Sequence, residues 1–318
     1  MKDTSDIGTV VRYLPDYNYE AIWKNNITVR LDLGEIKQLP AEQSEFYDIS
    51  LGTWCGNNCK FCYTSAKSNG VFYEDICETW KKWSKTWYRR KIAGLTVTNA
   101  PCQIAIGSGG ESSESPEFIE FLKTVRESGV IPNYTTAGRI LGYQGDDPVM
   151  NKRRDDLIEA TEKYCSAVAI SLGNLEMRDV AFRAIENLRG RDVYITLHHI
   201  ISDEASISEF FEIRDRYGKD IHYHVLLPLV AAGRSTAGMK SGMFDLLQEE
   251  LLRRKESGEN ISNIAFGAKF IEHIDRNNKL GIMTFPEQSY SKNVLLKKDK
   301  IVITPSSFDL KPIKIIDL

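Results

Sequence analysis

Cys55-Gly56-Asn57-Asn58-Cys59-Lys60-Phe61-Cys62 is the stretch on which the interpretation of the whole chain depends. It places three of the chain's six cysteines within eight residues, at CxxxCxxC spacing. Six cysteines scattered at random over a chain of this length would give that spacing with a probability of roughly 0.002. Thiolates are soft ligands that favour zinc or an iron–sulfur cluster, so the spacing indicates a metal-binding loop.

The type of metal site follows from what surrounds the three cysteines. A structural zinc site is usually closed by four ligands. No second cysteine pair is present, and every histidine lies at residue 198 or later, far from the motif in sequence. Three cysteines on a [4Fe–4S] cluster would leave one iron without a protein thiolate, and a ligand can react there. A closed zinc or cluster knuckle and a set of unrelated buried thiols are the alternatives.

The motif resembles that of the radical S-adenosylmethionine (radical SAM) superfamily, whose signature is CxxxCxxC with an aromatic residue just before the last cysteine. Phe61 occupies that aromatic position, and the resemblance makes it a candidate cofactor contact. The resemblance implies that Cys55, Cys59 and Cys62 hold a single [4Fe–4S] cluster to which S-adenosylmethionine (SAM) binds. It also implies an α/β core that is a partial (β/α)6 TIM barrel, with the cluster loop after the first strand.

Strands and helices alternate along the middle of the chain. Strands are predicted near residues 47, 103, 132, 169, 196 and 224, with helices between them. Such alternation indicates a parallel sheet, either curved into a barrel or open and doubly wound, and the resemblance favours the barrel. We therefore expect an N-terminal extension with a strand or hairpin (1–45), a barrel core (46–257) and an α+β C-terminal extension (258–318).

Three local predictions concern the segments around this core. A helix over 74–90 is predicted from the spacing of its tryptophans, with Arg89-Arg90-Lys91 at its C-terminal end. A second helix is predicted over 268–274, and a hairpin over 294–303 around a polar turn. No cysteine follows Cys165, so an auxiliary cluster in the C-terminal extension is not expected.

Gly109-Gly110-Glu111 follows the second predicted core strand, at the edge of a barrel where active sites gather. Two glycines let the backbone approach a ligand closely, and a carboxylate accepts hydrogen bonds from an ammonium group. A Gly-Gly pair after a strand is also found in ordinary turns. The resemblance implies that this turn binds the amino group of the methionine moiety of SAM.

Four further residues at the ends of core strands are candidate cofactor contacts by the same resemblance. The resemblance implies that Thr136, after the third core strand, faces cofactor or substrate, and that Ser171, after the fourth, bonds the ribose or carboxylate of SAM. It also implies that His198, on the fifth core strand, supplies a polar contact and that the exit of the sixth, at Leu227, cradles adenine. A capping serine, a histidine bonded only to protein and an ordinary strand exit are the alternatives.

Composition and charge bear on the expected partners and the expected cellular location of the protein. With 41 Lys and Arg against 44 Asp and Glu, the chain lacks the basic excess of nucleic-acid-binding proteins, so nucleic acid is not an expected partner. No apolar stretch approaches the roughly 18 residues of a membrane span, and the N-terminus lacks the apolar run of a signal peptide. Clustered thiols typically hold metal in a reducing compartment, so a cytoplasmic location is expected.

The predicted function is that of a radical SAM enzyme. The resemblance implies reductive cleavage of SAM to a 5′-deoxyadenosyl radical, which abstracts hydrogen from a small-molecule, nucleotide or peptide substrate. An electron donor such as flavodoxin or ferredoxin is implied as a partner. The alternatives are a non-catalytic scaffold that carries an iron–sulfur cluster or zinc, and an activase of a glycyl-radical enzyme.

Overall fold

A computed structural model describes residues 8–24, 27–32, 37–172, 177–218, 220–267, 270, 280, 291–307 and 309–318. Within these residues the fold is a mixed α/β arrangement of two sheets and six α-helices. The helices are α1 (Ile76–Ser84), α2 (Phe118–Glu127), α3 (Pro148–Tyr164), α4 (Arg178–Leu188), α5 (Glu204–Tyr217) and α6 (Met243–Glu256).

The strands are numbered in chain order through both sheets. They are β1 (Val10–Leu14), β2 (Tyr19–Lys24), β3 (Ile27–Asp32), β4 (Phe46–Ser50), β5 (Arg89–Ile92), β6 (Leu95–Thr98), β7 (Gln103–Ile106), β8 (Ile131–Thr136), β9 (Ala167–Ser171), β10 (Tyr194–Ile201), β11 (Tyr223–Pro228), β12 (Ile264–Phe266), β13 (Ser291–Lys297), β14 (Lys300–Thr304) and β15 (Lys314–Asp317).

The larger sheet has ten strands in the order β12-β11-β10-β9-β8-β7-β4-β13-β14-β15. The strands from β12 to β13 are all parallel to their neighbours, whereas β14 and β15 are antiparallel. Each of β4, β7, β8, β9, β10 and β11 is followed along the chain by one helix, which confirms the predicted alternation and the parallel sheet. Among the described residues the sheet is open, with β12 and β15 at its two edges, and the partial (β/α)6 barrel stays a prediction.

The two faces of the parallel sheet differ because side chains alternate along each strand. One face carries buried apolar residues such as Ile49 and Leu197, which pack in the same core as residues of the helices. The other face carries half-buried and mostly small or polar residues, among them Asp48, Thr196 and His198. This second face, here called the polar face, adjoins the loops at the carboxyl ends of the strands.

The prediction of a helix over 74–90 is wrong beyond Ser84, where α1 ends. Arg89–Ile92 instead forms β5, which pairs with β6 across a two-residue turn at Ala93 and Gly94. Both turn residues have positive φ, 49° and 82°, as a type I′ hairpin turn requires. The charged run pairs as an exposed edge strand, and it contributes no apolar helical face.

The predicted N-terminal strand or hairpin is part of a larger unit. The first three strands and the β5–β6 hairpin form a five-stranded sheet in the order β3-β2-β1-β6-β5. Central β1 lies antiparallel to β2 and parallel to β6, so residues on both sides of α1 build this sheet.

The C-terminal segment adds strands to the core sheet. β13 pairs in parallel with β4, and β14 returns beside it, which confirms the predicted hairpin. Its turn residue Asp299 has a φ of 52°, a left-handed conformation that aspartate tolerates. The helix predicted over 268–274 lies, except for residue 270, outside the described residues. None of the helices described is both long and apolar enough to cross a membrane.

Candidate active site

The segment between β4 and α1, here called the cysteine loop, leaves the carboxyl end of β4, as predicted, and is folded by its own backbone. The amide of Cys55 donates to the carbonyl of Lys67 at 2.9 Å, and the amide of Cys62 donates to the carbonyl of Cys59 at 3.2 Å. All three cysteines are free thiols and are half-buried. The loop therefore carries three reduced thiols on one short segment at the edge of the parallel sheet.

The electrostatics of the loop bear on whether it fits a metal cluster. Burial, together with the neighbouring thiols of Cys55 and Cys62, raises the pKa of the Cys59 thiol to about 11. Burial also raises the pKa of Cys55. Three thiolates at this place are costly without a cation, and iron or zinc supplies the charge that stabilises them.

In the described part of the chain, no three Cys, His, Asp or Glu side chains stand together as a ready set of metal ligands. The donor chemistry of Cys55, Cys59 and Cys62 nevertheless fits an iron–sulfur cluster, because the three soft ligands lie on one short loop. The fit is therefore one of residue type and loop position, and the ligand set itself stays a prediction.

Arg234, in the segment between β11 and α6, fastens the cysteine loop from across the sheet. Its Nε donates to the carbonyl of Cys59 at 3.0 Å, and its Nη1 donates to the carbonyl of Ala66 at 2.5 Å. Its own amide donates to the carbonyl of Cys62 at 2.9 Å. Segments after the first and the last of the six βα strands thus meet at the cysteine loop.

The Gly109-Gly110 turn after β7 packs directly against the segment that carries the cysteines. A β-carbon at Gly109 would overlap the hydroxyl of Ser50, and one at Gly110 would overlap the carbonyl oxygen of Trp54. The carbonyl of Gly109 accepts a hydrogen bond from the Thr64 hydroxyl at 2.8 Å. Only glycine permits this approach, so close packing against the cysteine segment accounts for a glycine at each of the two positions.

Glu111 is buried, and both of its carboxylate oxygens accept hydrogen bonds from protein groups. Oε1 accepts from the hydroxyls of Ser113 at 2.6 Å and Thr136 at 2.7 Å. Oε2 accepts from the amide of Ala137 at 2.8 Å and from Asn57 Nδ2 at 3.2 Å. The carboxylate thus joins the cysteine loop to the ends of β7 and β8, and it brings Thr136 to the site.

The other predicted contacts lie along the same edge of the sheet. Ser171 and His198 are paired neighbours on β9 and β10, and both are on the polar face. Burial lowers the pKa of His198 to about 4, so its imidazole is neutral near pH 7. Leu227 is half-buried on β11, and Phe61 is half-buried in the cysteine loop. Hydrogen bonds join Glu111 directly to the cysteine loop and Thr136 to Glu111, and the other predicted residues lie on neighbouring elements.

Three residues with structural roles at the site were not identified from the sequence. They are Asn57, Thr64 and the side chain of Arg234, each of which makes a hydrogen bond described above. Asn57 lies inside the motif, but nothing in its spacing indicates a bond to Glu111. Arg234 follows the last core strand, where a charged residue is ordinarily solvated.

A cavity of about 390 Å³ lies beside the cysteine loop, between the segment after β8 and helix α4. Arg139 lines it, packs against Gly56 and forms an ion pair with Glu114 at 3.3 Å. Burial raises the pKa of Glu114 to about 7, although the charge of Arg139 lowers it. Arg139 therefore contacts the cysteine loop and the cavity at once.

No family model and no curated protein matches this chain. Solved structures do match. The crystal structure of Streptococcus suis SuiB bound to S-adenosylmethionine matches with a TM-score of 0.57 at 15% identity, over 82% of this chain and 60% of SuiB. The crystal structure of SuiB bound to precursor peptide SuiA gives 0.55 at 15% identity, over 83% and 60%. The two proteins share a fold.

At 15% identity the likeness shows a shared fold, and the superfamily that the cysteine motif indicates stays a prediction. This chain spans about 60% of the length of SuiB. What the likeness supports is a mixed α/β architecture around a parallel sheet.

Proposed function

We propose that this chain is a radical SAM enzyme. The observation that carries the proposal is the direct bonding between the cysteine loop and the Gly109-Gly110-Glu111 turn, through Thr64 and Asn57. Two motifs that the resemblance assigns to one cofactor are far apart in sequence and adjacent in space. SuiB, a structural neighbour, was crystallised with SAM, which supports the same cofactor for this chain.

Cys55, Cys59 and Cys62 would hold a [4Fe–4S] cluster. When bound and reduced, such a cluster supplies the electron that cleaves SAM to methionine and a 5′-deoxyadenosyl radical, which abstracts hydrogen from the substrate. Arg234 keeps the backbone of the loop in place by holding the carbonyls of Cys59 and Ala66. The half-buried position of the loop limits the access of water to the reacting groups.

The Gly109-Gly110-Glu111 turn would bind the methionine end of SAM. Since the Glu111 carboxylate already accepts four hydrogen bonds from protein, its role is to fix the turn so that backbone carbonyls meet the ammonium group. Thr136 contributes through its bond to Glu111. The absence of β-carbons lets the turn and the cysteine loop lie close to one cofactor.

Four further contacts with SAM are proposed along the sheet edge. Ser171 would bond the ribose or carboxylate of SAM, and His198, as a neutral imidazole, would exchange a hydrogen bond with a polar group of the cofactor. Leu227 would lie against adenine at the exit of β11. Phe61, inside the motif, would supply the fourth contact from the cysteine loop.

The substrate class is a small molecule, a nucleotide or a peptide. A peptide is the first to test, because SuiB was crystallised with its precursor peptide SuiA. A flavodoxin or ferredoxin would deliver the electron. We place the catalytic core at 46–257, with extensions at 1–45 and 258–318 and no auxiliary cluster, in a cytoplasmic protein.

The test is the formation of 5′-deoxyadenosine from SAM by the anaerobically reconstituted protein with dithionite. Wild type is compared with Cys59→Ala, and Cys77→Ala on α1 serves as the matched control because it removes a half-buried thiol outside the motif. We expect product from wild type and Cys77→Ala, and none from Cys59→Ala. Iron and labile sulfide are measured on the same samples.

Two results would contradict the proposal. A single zinc in place of about four irons would make the loop a closed zinc site. A full iron–sulfur complement without SAM binding would instead favour the scaffold. Activity that appears only with a glycyl-radical enzyme as substrate would identify an activase.

A further inference from the structure

Two hydrogen-bond acceptors lie side by side on the polar face, near the cysteine loop. Asp48 of β4 and Asn293 of β13 are directly paired in the register of these parallel strands. Side chains at paired positions of neighbouring strands point to the same face of a sheet. A carboxylate and a carboxamide are thus placed together by strands from distant parts of the chain.

The carboxamide of Asn293 is almost completely buried, with 1% of its surface exposed. Its Nδ2 donates to the hydroxyl of Thr304 at 2.9 Å, and that hydroxyl donates to the carbonyl of Ser306 at 3.1 Å. These two hydrogen bonds fix the amide and leave Oδ1 as an acceptor that receives no hydrogen bond from the described residues. A buried acceptor without a donor is costly, so it signals a partner from outside the chain.

The carboxylate of Asp48 is in a similar position. None of the hydrogen bonds or ion pairs of the described residues involves its side-chain oxygens, and burial raises its pKa to about 6. Part of its surface nevertheless stays accessible. A carboxylate that protein encloses and that solvent still reaches lines a recess, and the one at Asp48 and Asn293 is here called the recess.

The recess lies next to the proposed cofactor site. Tyr63 directly follows Cys62, and its phenol is near enough to Asp48 that, after burial, the charge of Asp48 helps to raise the pKa of the tyrosine. Ser50, two residues beyond Asp48 on the same face of β4, packs against Gly109. Two residues of a strand span about 7 Å, so the recess is one pleat away from the Gly109 turn.

We propose that Asp48 and the Oδ1 atom of Asn293 bind a cationic nitrogen group, an ammonium or a guanidinium, of the substrate. Such a group carries several N–H donors and a positive charge, so it satisfies both acceptors at once. An anionic group would meet the carboxylate with like charge, and an apolar group would leave both acceptors unpaired. That the bound molecule is the substrate of radical chemistry rests on the function proposed above.

The experiment measures binding of two probes of equal size to the reconstituted protein with SAM present, by equilibrium dialysis. Benzylammonium carries the cationic group, and benzyl alcohol is its neutral counterpart. We expect wild type to bind the ammonium at least about tenfold more tightly than the alcohol. Asp48→Asn should reduce that preference to less than about twofold, and Asn293→Ala should weaken ammonium binding several-fold.

Asp317→Asn is the matched control, because it removes a carboxylate that is 81% exposed on edge strand β15. It should keep the full preference. Equal binding of the two probes to wild type, including no binding of either, would overturn the assignment. Retention of the preference by Asp48→Asn would do the same, and so would ammonium binding that appears only when SAM is left out, which would make the recess part of the cofactor site.

Failure of this inference and failure of the proposed function are told apart on one preparation. Dialysis reports the recess, and 5′-deoxyadenosine formation by wild type reports SAM cleavage. If ammonium binding depends on Asp48 but wild type forms no 5′-deoxyadenosine, the assignment of the recess stands and the proposed radical SAM activity is refuted. The reverse pattern would refute only the recess.

Discussion

The cysteine loop and the recess at Asp48 lie next to each other on the same sheet, but the polar groups of the loop are hydrogen-bonded within the protein and those of the recess are not. In the loop region, Arg234 and Glu111 each hold several backbone or side-chain groups. In the recess, Asp48 and Asn293 Oδ1 receive no donor from the described residues. The first region is assembled by the protein alone, whereas the second is completed only by a ligand.

The difference has a thermodynamic consequence. Groups that are satisfied in the folded chain stabilise it, so their removal should unfold or loosen the loop. A half-buried carboxylate without a partner lowers the stability of the folded state, so its neutralisation should be harmless or favourable to folding. Substitutions in the two regions should therefore change stability with opposite signs.

The largest effect is expected for Gly110→Ala, which would break the contact between the two motifs. The new β-carbon would overlap the carbonyl oxygen of Trp54, so the turn or the cysteine segment must move, at a cost of about 3 kcal/mol. We expect loss of most of the iron retained after reconstitution and of 5′-deoxyadenosine formation. Gly238→Ala is the control, since its β-carbon would meet nothing closer than 3.6 Å. Equal iron contents would show that the packing is not needed.

Arg234→Lys is expected to have the next largest effect. A lysine ammonium cannot reproduce the planar fork that reaches the carbonyls of Cys59 and Ala66, and we expect a loss of about 2 kcal/mol. The loop thiols of the metal-free protein should then react several-fold faster with a thiol reagent. Arg253→Lys, at a side chain that is 65% exposed, should leave those rates unchanged. Unchanged rates in Arg234→Lys itself would mean that the tether does not order the loop.

Glu111→Gln tests the bonds that join three loops. The substitution turns one acceptor oxygen into a donor that faces existing donors, so unfolding should require about 1 to 2 kcal/mol less free energy. The midpoint of denaturant unfolding measures the loss. Glu162→Gln, at a surface ion pair with Arg191, should change it by less than about 0.5 kcal/mol. A similar loss in both variants would remove the contrast between a paired network and an ordinary surface.

Asp48→Asn should give the smallest effect and the opposite sign. The pKa of Asp48 is raised from 3.8 to about 6, so the folded state binds the extra proton and loses stability as pH rises through this range. We therefore expect the variant to be about 1 kcal/mol more stable than wild type at pH 8, with no gain at pH 4. Unfolding at the two pH values measures it. Destabilisation at pH 8 would mean that Asp48 has a structural partner.

The sequence predicts the loop region better than the recess for a physical reason. The strand predicted near residue 47 and the cysteine spacing rest on local signals, and both the strand and the loop after it are found where expected. The bond between Arg234 and Cys59 joins residues 175 positions apart, and no periodic pattern encodes such a contact. The pairing of Asp48 with Asn293 is similarly non-local. Each residue alone is an ordinary polar residue in a strand.

Local signals also misled in one place. The tryptophans of α1 continue in helical spacing to Trp87, but the helix ends at Ser84. Arg89–Ile92 is exposed at all four positions, so it carries no apolar periodicity from which a strand could be inferred. What decides its structure is the Ala93-Gly94 turn and the edge of β6, and a composition of Arg and Lys does not reveal either.

The pairing of β13 with β4 has a consequence for biosynthesis. While the ribosome makes the chain, β4 emerges early and keeps one edge unpaired until residues 291–297 have been translated. An open strand edge can pair with other nascent chains, so this interval is when the protein is most exposed to misassembly. Asp48 and Asn293 stand on the two sides of this late seam. A nascent chain that has not reached Asn293 cannot form the amine-binding recess, so substrate recognition begins only after β13 has been made and docked.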